Sequence, residues 1–349
     1  MMLALFSGNL LPAQDVQKPD YDTGYYTSFH NDLIFRVFTT RKYHNFEIKK
    51  DGTSGLKYLP NNLLNLGVGV SYRGLSLNLA YGFDFINPEK GRVNTNRIDL
   101  QSRLYGRKWL IDLSGEFFKG YDLHPKGKFT TGDTGYYARP DLDMIVAGFT
   151  AYRLLNSRRL TMRNGFVQDE WQKKSAGSFL IGGGLNYARI KADSTILPTL
   201  SLREFNTAEL LNLKTWTLSA GIGYAYTLVL PADFYISGAA TAQMNLAYVE
   251  ERYPTNIARK TSLTPAVSPK LSAGYFNGDW HVGAFWVNNR LSSKGAMGSR
   301  YVHNTGIFRF VVSKRIPTSK KTKQLLKPVD GLLNIVKEPV DAVVQPEIK

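Results

Sequence analysis

The stretch LNLGVGVSYRGLSLNLAYGFDF, Leu64 to Phe85, decides the fold. Leu64, Leu66, Val68, Val70 and Tyr72 alternate with Asn65, Gly67, Gly69 and Ser71. After Arg73-Gly74 the rhythm resumes, with Leu75, Leu77, Leu79, Tyr81, Phe83 and Phe85 alternating with Ser76, Asn78, Ala80, Gly82 and Asp84. Successive side chains of a strand point to opposite faces. This hairpin therefore has one greasy face that ends in aromatics and one face of small and polar residues. A soluble sandwich would bury the greasy face. A membrane barrel would turn it to lipid and keep the other face in a wet lumen. Length, repetition and aromatic content favour the barrel.

The chain has 349 residues, enough for one large barrel or two ordinary domains. Mean hydropathy is −0.25, and no run approaches the roughly 18 apolar residues that a spanning helix needs. Helical membrane bundles are thereby excluded, whereas a spanning barrel is not, because half of each strand is polar. Aromatics make up 13% of the chain, a level expected where girdles of Tyr, Trp and Phe sit at both lipid interfaces. With no cysteine, a disulfide framework, a zinc-thiolate site and a Cys nucleophile are all excluded. The formal charge of +16 is spread over turns, lumen-facing positions and the tail. It forms no compact basic patch with interleaved aromatics, so nucleic acid is not an expected partner. Outer-membrane lipid, including lipopolysaccharide phosphates, is.

The same signature repeats along the chain. Residues 1–14, MMLALFSGNLLPAQ, read as the apolar and cleavage regions of a signal peptide without its basic start, and 15–31 as a periplasmic lead-in. Residues 32–316 read as the barrel. Its first strand is Leu33–Thr40. Hairpins are expected at Leu63–Tyr72/Leu75–Ile86, Asn96–Tyr105/Trp109–Tyr121, Asp141–Leu155/Leu160–Glu170, Trp216–Leu230/Phe234–Val249 and Lys270–Phe276/Trp280–Arg290. Arg41–Asn62, Asn87–Thr95, Asp122–Pro140 and Glu250–Pro269 read as long loops. Short turns at one end and long loops at the other are the asymmetry of an outer-membrane barrel. With Ile196–Phe205 as a strand the count comes to about 14, and with the segments near Gly165–Ser178 merged to about 12, an even number being required if both termini are periplasmic. The last strand is Gly306–Ile316. The tail, 317–349, is basic and then mildly apolar, and is expected in the periplasm, where it could dock an envelope protein.

Several candidate positions follow from strand parity. Arg97, Asp99, Gln101 and Arg103 share one face of a strand, and Asp112, Ser114 and Glu116 one face of the next. As lumen-lining groups they would form either a mixed-charge constriction or a salt-bridge network that fills a closed lumen. Small inward residues such as Gly221, Gly223, Ala225, Ala239 and Thr241 favour a narrow or plugged interior. Phe83, Phe85, Tyr121, Trp216, Tyr226, Tyr248, Trp280 and Trp286 are candidates for the aromatic girdle. Gly182-Gly183-Gly184 lacks the ending of a phosphate loop and reads as a bend in the wall. No histidine pairs by register with a Ser nucleophile, and His44 and His124 lie in expected loops with no metal-ligand spacing, although His281 has lumen-facing parity. No catalytic site, metal or cofactor is expected.

Thr40-Arg41-Lys42-Tyr43, Pro60-Asn61-Asn62, the Leu64–Phe85 hairpin, DLQSRLYGRKWLID (Asp99–Asp112), Phe118-Lys119-Gly120-Tyr121 and QDEWQKKSAGSF (Gln168–Phe179) resemble an uncharacterised Bacteroidetes family, domain of unknown function 4421. The resemblance covers roughly Asp32 to Ile316. It implies an outer-membrane barrel with a signal peptide and carries no catalytic residues. The expectation is an all-β antiparallel transmembrane barrel of the bacterial outer membrane, a structural or accessory envelope component without enzymatic activity. The alternatives are a porin-like channel for small solutes and, further off, a lipid-modifying enzyme.

Overall fold

The structure, a computed structural model, describes residues 20–50, 55–72, 75–87, 92–99, 102–127, 135–198 and 209–319. Its strands are β1 (Tyr26–Ser28), β2 (Leu33–Lys49), β3 (Leu56–Leu59), β4 (Leu64–Tyr72), β5 (Leu75–Tyr81), β6 (Asn96–Asp99), β7 (Ser102–Tyr105), β8 (Trp109–His124) and β9 (Tyr137–Leu154). After a short helix α1 (Arg163–Phe166) come β10 (Glu170–Gln172), β11 (Ala176–Lys191), β12 (Asn212–Val229), β13 (Phe234–Arg252), β14 (Ile257–Phe276), β15 (Trp280–Lys294) and β16 (Arg300–Ile316). All pairings are antiparallel. The ring closes where β16 pairs with β2 over the full length of both, Leu33 opposite Ile316 and Lys49 opposite Arg300.

The closed hydrogen-bonded ring contains ten strands: β2, β3, β8, β9 and β11 to β16. At the loop end, β3 joins β2 to β8. Nearer the turn end, β4 takes over the edge of β2 and carries β5, while β6 and β7 hang on β8. Among the described residues β5 pairs only with β4. Among the described residues the closed ring has ten strands, and neither fourteen nor twelve is confirmed; the physical reasons are local. Leu160–Glu170, expected as a strand, carries Arg163, Asp169 and Glu170 among its apolar residues. A lipid-facing strand could not satisfy those charges, and the segment folds into the lumen instead. Of Ile196–Phe205, residues 196–198 are irregular and the remainder lies outside the described residues.

Two expected long loops are strand. Arg41–Asn62 contributes the upper part of β2 and β3. Glu250–Pro269 is mostly β14, which leaves a short connection after β13. β12, β13 and β14 run 18, 19 and 20 residues, well past the roughly 9–11 that cross a bilayer.

Burial is inverted relative to a soluble protein. Ile222 and Tyr81 are each 67% exposed and Leu77 65%, while Thr227, Ser237 and Asn245 are fully buried. A greasy exterior around a polar interior is the pattern that lipid as solvent demands. No helix among the described residues is long and apolar enough to cross a membrane. The Gly182-Gly183-Gly184 run lies in mid-β11, paired to β9 and β12 on its two sides. A Cβ on Gly183 would lie 2.0 Å from Ser219 O, so the glycines allow close backbone approach in the wall and cradle no phosphate.

Candidate functional site

Both ends of the lumen are filled. At the turn end, the segment between β9 and β11 folds inward, and β10 pairs with β1 from the N-terminal lead-in to form a two-stranded sheet. The lead-in is thus part of the barrel's filling, beyond the simple preceding segment expected for it. Leu160, Met162 and Phe166 are buried with Tyr105, Tyr152, Leu180, Ala225, Phe285 and Ile307 from the wall. Phe166 packs at 5.7 Å from the Tyr105 ring and 5.5 Å from Phe285. Charges ride along because each has a partner. Arg163 Nε donates to Asp169 Oδ1 at 2.9 Å, and its terminal nitrogens bond to Asp169 and to the Tyr105 carbonyl. From the wall, Arg36 donates to Ser71 Oγ at 2.6 Å and to the Val167 carbonyl at 3.1 Å. Burial pushes the Glu170 carboxyl above the ordinary carboxylate range, against the pull of nearby Arg163.

At the loop end, Ala192, Ile196, Leu197 and Leu210 close over Phe46, Tyr58, Tyr121, Leu142, Met144 and Tyr301. The backbone there is tied to the wall. Tyr58 OH donates to Ile196 O at 2.5 Å, and Arg139 donates to Thr195 O and Ile196 O at 2.8 and 2.9 Å while its other edge engages Asp141.

Between the two apolar fillings lies a polar cavity of about 40 Å³, lined among others by Asp112, Glu116, Gln243, Lys270 and His303. That volume has room for about three waters. Lys270 Nζ reaches across the lumen to Asp112 Oδ2 and donates to Tyr105 OH at 3.1 Å, and Tyr105 OH donates to Asp112 Oδ1 at 3.2 Å. Tyr152 OH donates to Gln243 Oε1 at 2.9 Å, and Gln243 Nε2 to the Arg290 carbonyl at 3.3 Å. Glu116 lies 3.5 Å from buried His44. Both ring nitrogens of His303 lack a hydrogen-bond partner.

Of the positions expected to line the lumen, Asp112 and Glu116 do so. Register sets Arg97 opposite Phe118, Asp99 opposite Glu116 and Arg103 opposite Asp112; the side chains of these three, and Gln101 entirely, lie outside the described residues. His281 faces inward and is buried, its Nε2 2.7 Å from Tyr235 OH. Of the girdle set, Phe83, Phe85, Trp216, Tyr226, Tyr248 and Trp280 are exposed on the outer face, and Trp286 lies among them, its Nε1 donating to Tyr43 OH at 2.8 Å. Tyr121 is a correction, being fully buried in the lumen. The β8–β9 register slips between Lys119 and Tyr121, with Gly120 at φ +97°. Between those pairs β8 has one residue and β9 three, and the inward parity of β8 is reversed beyond the irregularity. Lys270 and Arg36 were missed as lumen groups. Lys270 stood at the start of its expected strand, yet its spacing from Ser268 and Ser272 marks the inward face. Among the described residues no cluster of His, Asp and Glu could hold a metal.

The family model described as "Domain of unknown function (DUF4421)" matches residues 20–312. No curated protein matches the sequence. Solved structures similar to it include the toluene transporter TodX of P. putida, 8% identical, covering 82% of this chain and 91% of that one at a TM-score of 0.24. Others are the outer membrane protein OprG of Pseudomonas aeruginosa (12% identical, 82% and 97% covered, TM-score 0.22) and OmpT of Vibrio cholerae (11%, 82% and 97%, 0.28). Scores of that size establish no shared detail, and the barrel stands on its own hydrogen-bond ladder.

Proposed function

The chain belongs to the DUF4421 family, and on that premise we propose that it is a bacterial outer-membrane β-barrel that works with its lumen closed, as a structural or accessory component of the envelope rather than as an open pore. The observation that carries this reading is the filling of both ends by buried apolar clusters drawn from the chain itself. Buried apolar clusters at both ends oppose a continuous aqueous path for solutes. The greasy exterior and the strand lengths support membrane insertion, and a closed spanning barrel is the architecture of outer membranes. Lumen charges are spent in internal pairs, Lys270 with Asp112 and Arg163 with Asp169, which supports a wall-bracing role and gives a solute no free ring of charge. No catalytic role is assigned. The basic tail, 320–349, lies outside the described residues and is proposed as the periplasmic docking part.

The test is single-channel recording of the folded protein in a planar bilayer, after heat-modifiable gel migration has shown that the barrel is formed. No conductance steps are expected. Replacing 157–172 by a short Gly-Ser turn removes the turn-end filling and is expected to give intermittent steps. Stable, ion-selective steps from the unaltered protein would overturn the closed-lumen reading and favour the channel.

A further inference from the structure

On the outer wall near the loop end, β9 and β11 to β14 border a groove of about 530 Å³, a volume in the range of small-ligand sites. Register sets its lining in rows across the strands. One row runs Ala147, Tyr187, Trp216, Tyr248 and Thr261. The next, toward the middle of the wall, runs Phe149, Leu185, Leu218 and Leu246. Tyr187 leans onto Trp216, with ring centroids 4.4 Å apart. Opposite Tyr187 stands Ala147, the smallest side chain of its row, and it leaves the space that the ring pair and Phe149 border.

Toward the loop end the same strands carry charge. The row above the aromatics holds Arg189, Lys214, Glu250 and Arg259, all of outward parity. Lys214 donates to Glu250 Oε1 at 3.5 Å, Arg259 to Glu250 Oε2 at 3.2 Å, and Arg189 to Asp143 Oδ1 at 3.2 Å. One row further, Asp143 stands opposite Lys191, and Lys191 and Arg252 flank Asn212. Both carboxylates of these two rows are thus held by cations of the lower one. Lys191 and Arg252 are exposed on the outer face, and among the described residues neither side chain forms a hydrogen bond or an ion pair.

We infer that this stretch of wall is a binding site for one molecule of lipopolysaccharide, with an acyl chain in the groove beside Trp216 and anionic groups of the sugar headgroup on Lys191 and Arg252. Three features select that occupant. The wall is layered as a lipid is: leucines, then aromatics of the kind that mark a membrane interface, then cations. The site lies at the end opposite Leu33 and Ile316, where the wall's first and last strands meet the termini; with the termini in the periplasm, that end meets the outer leaflet. The two uncommitted cations stand two strand spacings apart, roughly 10 Å. A single glycerophosphate meets one of them, whereas a sugar headgroup bearing several anionic groups meets both. The inference rests on membrane insertion but not on the closed lumen or the accessory role.

The experiment is native mass spectrometry of the full chain, folded in detergent, shown to be a barrel by heat-modifiable migration, and titrated in EDTA with short-sugar lipopolysaccharide or with phosphatidylglycerol. One lipopolysaccharide per barrel is expected, retained under activation that strips phosphatidylglycerol. Lys191→Ala with Arg252→Ala should weaken that binding about 25-fold, about fivefold for each cation. Ala147→Trp fills the groove without touching a charge and should weaken it about tenfold, as the exclusion of about two methylene groups would. Lys314→Ala removes an outward cation at the turn end, beside Trp280, and should leave binding unchanged. Gel migration of each variant separates loss of the site from loss of the barrel. No bound lipopolysaccharide on an intact barrel, equal retention of phosphatidylglycerol, or binding indifferent to Lys191, Arg252 and Ala147 would overturn the site. A chain that never shows heat-modifiable migration would overturn membrane insertion itself, and the site with it.

Discussion

Lys270→Met is the sharpest test of how the lumen is braced. Lys270 on β14 and Asp112 on β8 belong to strands that are not neighbours in the ring, so their ion pair ties facing walls across the interior. Lys270 is 5% exposed, and the Asp112 side chain 12%. Methionine keeps most of the apolar stem and removes only the ammonium. Asp112 would then lose its ammonium partner, while the Tyr105 hydroxyl still donates to it. Breaking one side of a buried pair costs about 3–5 kcal/mol, and the surviving hydrogen bond holds the loss to the lower part of that range, about 3 kcal/mol. Removing both charges is different. Lys270→Met with Asp112→Leu removes the two charges of the pair together and should fall within about 1 kcal/mol of the unaltered protein. The assay is reversible urea unfolding of the vesicle-inserted barrel, followed by tryptophan fluorescence and by gel migration, for the two singles and the double. A Lys270→Met loss under about 1 kcal/mol would place the pair in the exposed class. A double-variant loss equal to the sum of the singles would mean the two side chains are not coupled. Either result would refute the cross-lumen brace.

Three further outcomes follow from the same structure. Phe166→Ala empties an aromatic site that is 8% exposed within the turn-end filling, and should cost about 3–5 kcal/mol in the same unfolding assay; a loss under about 1 kcal/mol would mean the filling is loosely held. Glu170 has its folded pKa raised, chiefly by burial, so its contribution is fully present below the unfolded value of about 4.3 and is lost as pH rises through the folded value. Glu170→Gln should therefore gain on the unaltered protein at neutral pH and lose that advantage below about pH 4; an advantage that persists in acid would contradict the sign. Asp279, in the turn before β15, has its pKa lowered by the hydrogen bond and charge of Arg315, so its contribution is present above about pH 3.9 and lost as pH falls through the lowered value. Asp279→Asn should lower the urea midpoint at pH 7 and converge with the unaltered protein in acid, and identical midpoints at pH 7 would remove the interaction from the turn.

What could be read in advance was what depends on a period of two. Leu64–Phe85 declares its faces because lipid and lumen select opposite side chains at successive positions, and the same rule placed Asp112, Glu116 and His281 inward. Parity fails where the backbone breaks it: the bulge at Gly120 turned Tyr121 from the expected outer girdle to the lumen. It fails again where a segment leaves the wall. Leu160, Met162 and Phe166 carry the spacing of a strand, and only the partners of Arg163, Asp169 and Glu170 reveal that the segment is buried inside the ring. Those partners, Tyr105 O and the sheet with β1, come from more than fifty residues away along the chain. The ion pair of Lys270 with Asp112 is invisible for the same reason, since no local pattern links strands that face each other across a lumen.

The prolines of β14 show how a sound local rule can hide a strand and still be obeyed. Glu250–Pro269 read as a long loop, and it holds Pro265 and Pro269, which in a central strand would each remove a ladder bond. The structure keeps the strand, and it loses those bonds where the rule says they must be lost: on the odd-numbered edge, toward β15, and nowhere toward β13. Locally, then, β14 is an edge strand inside a closed barrel. A barrel avoids open edges in hydrocarbon because unpaired amides there are costly, and this one meets the requirement with Ser262, Thr264 and Ser268 instead of backbone. Restoring the ladder needs only two substitutions, each adding one N–H opposite an existing β15 carbonyl, at about 0.5–1.5 kcal/mol per bond.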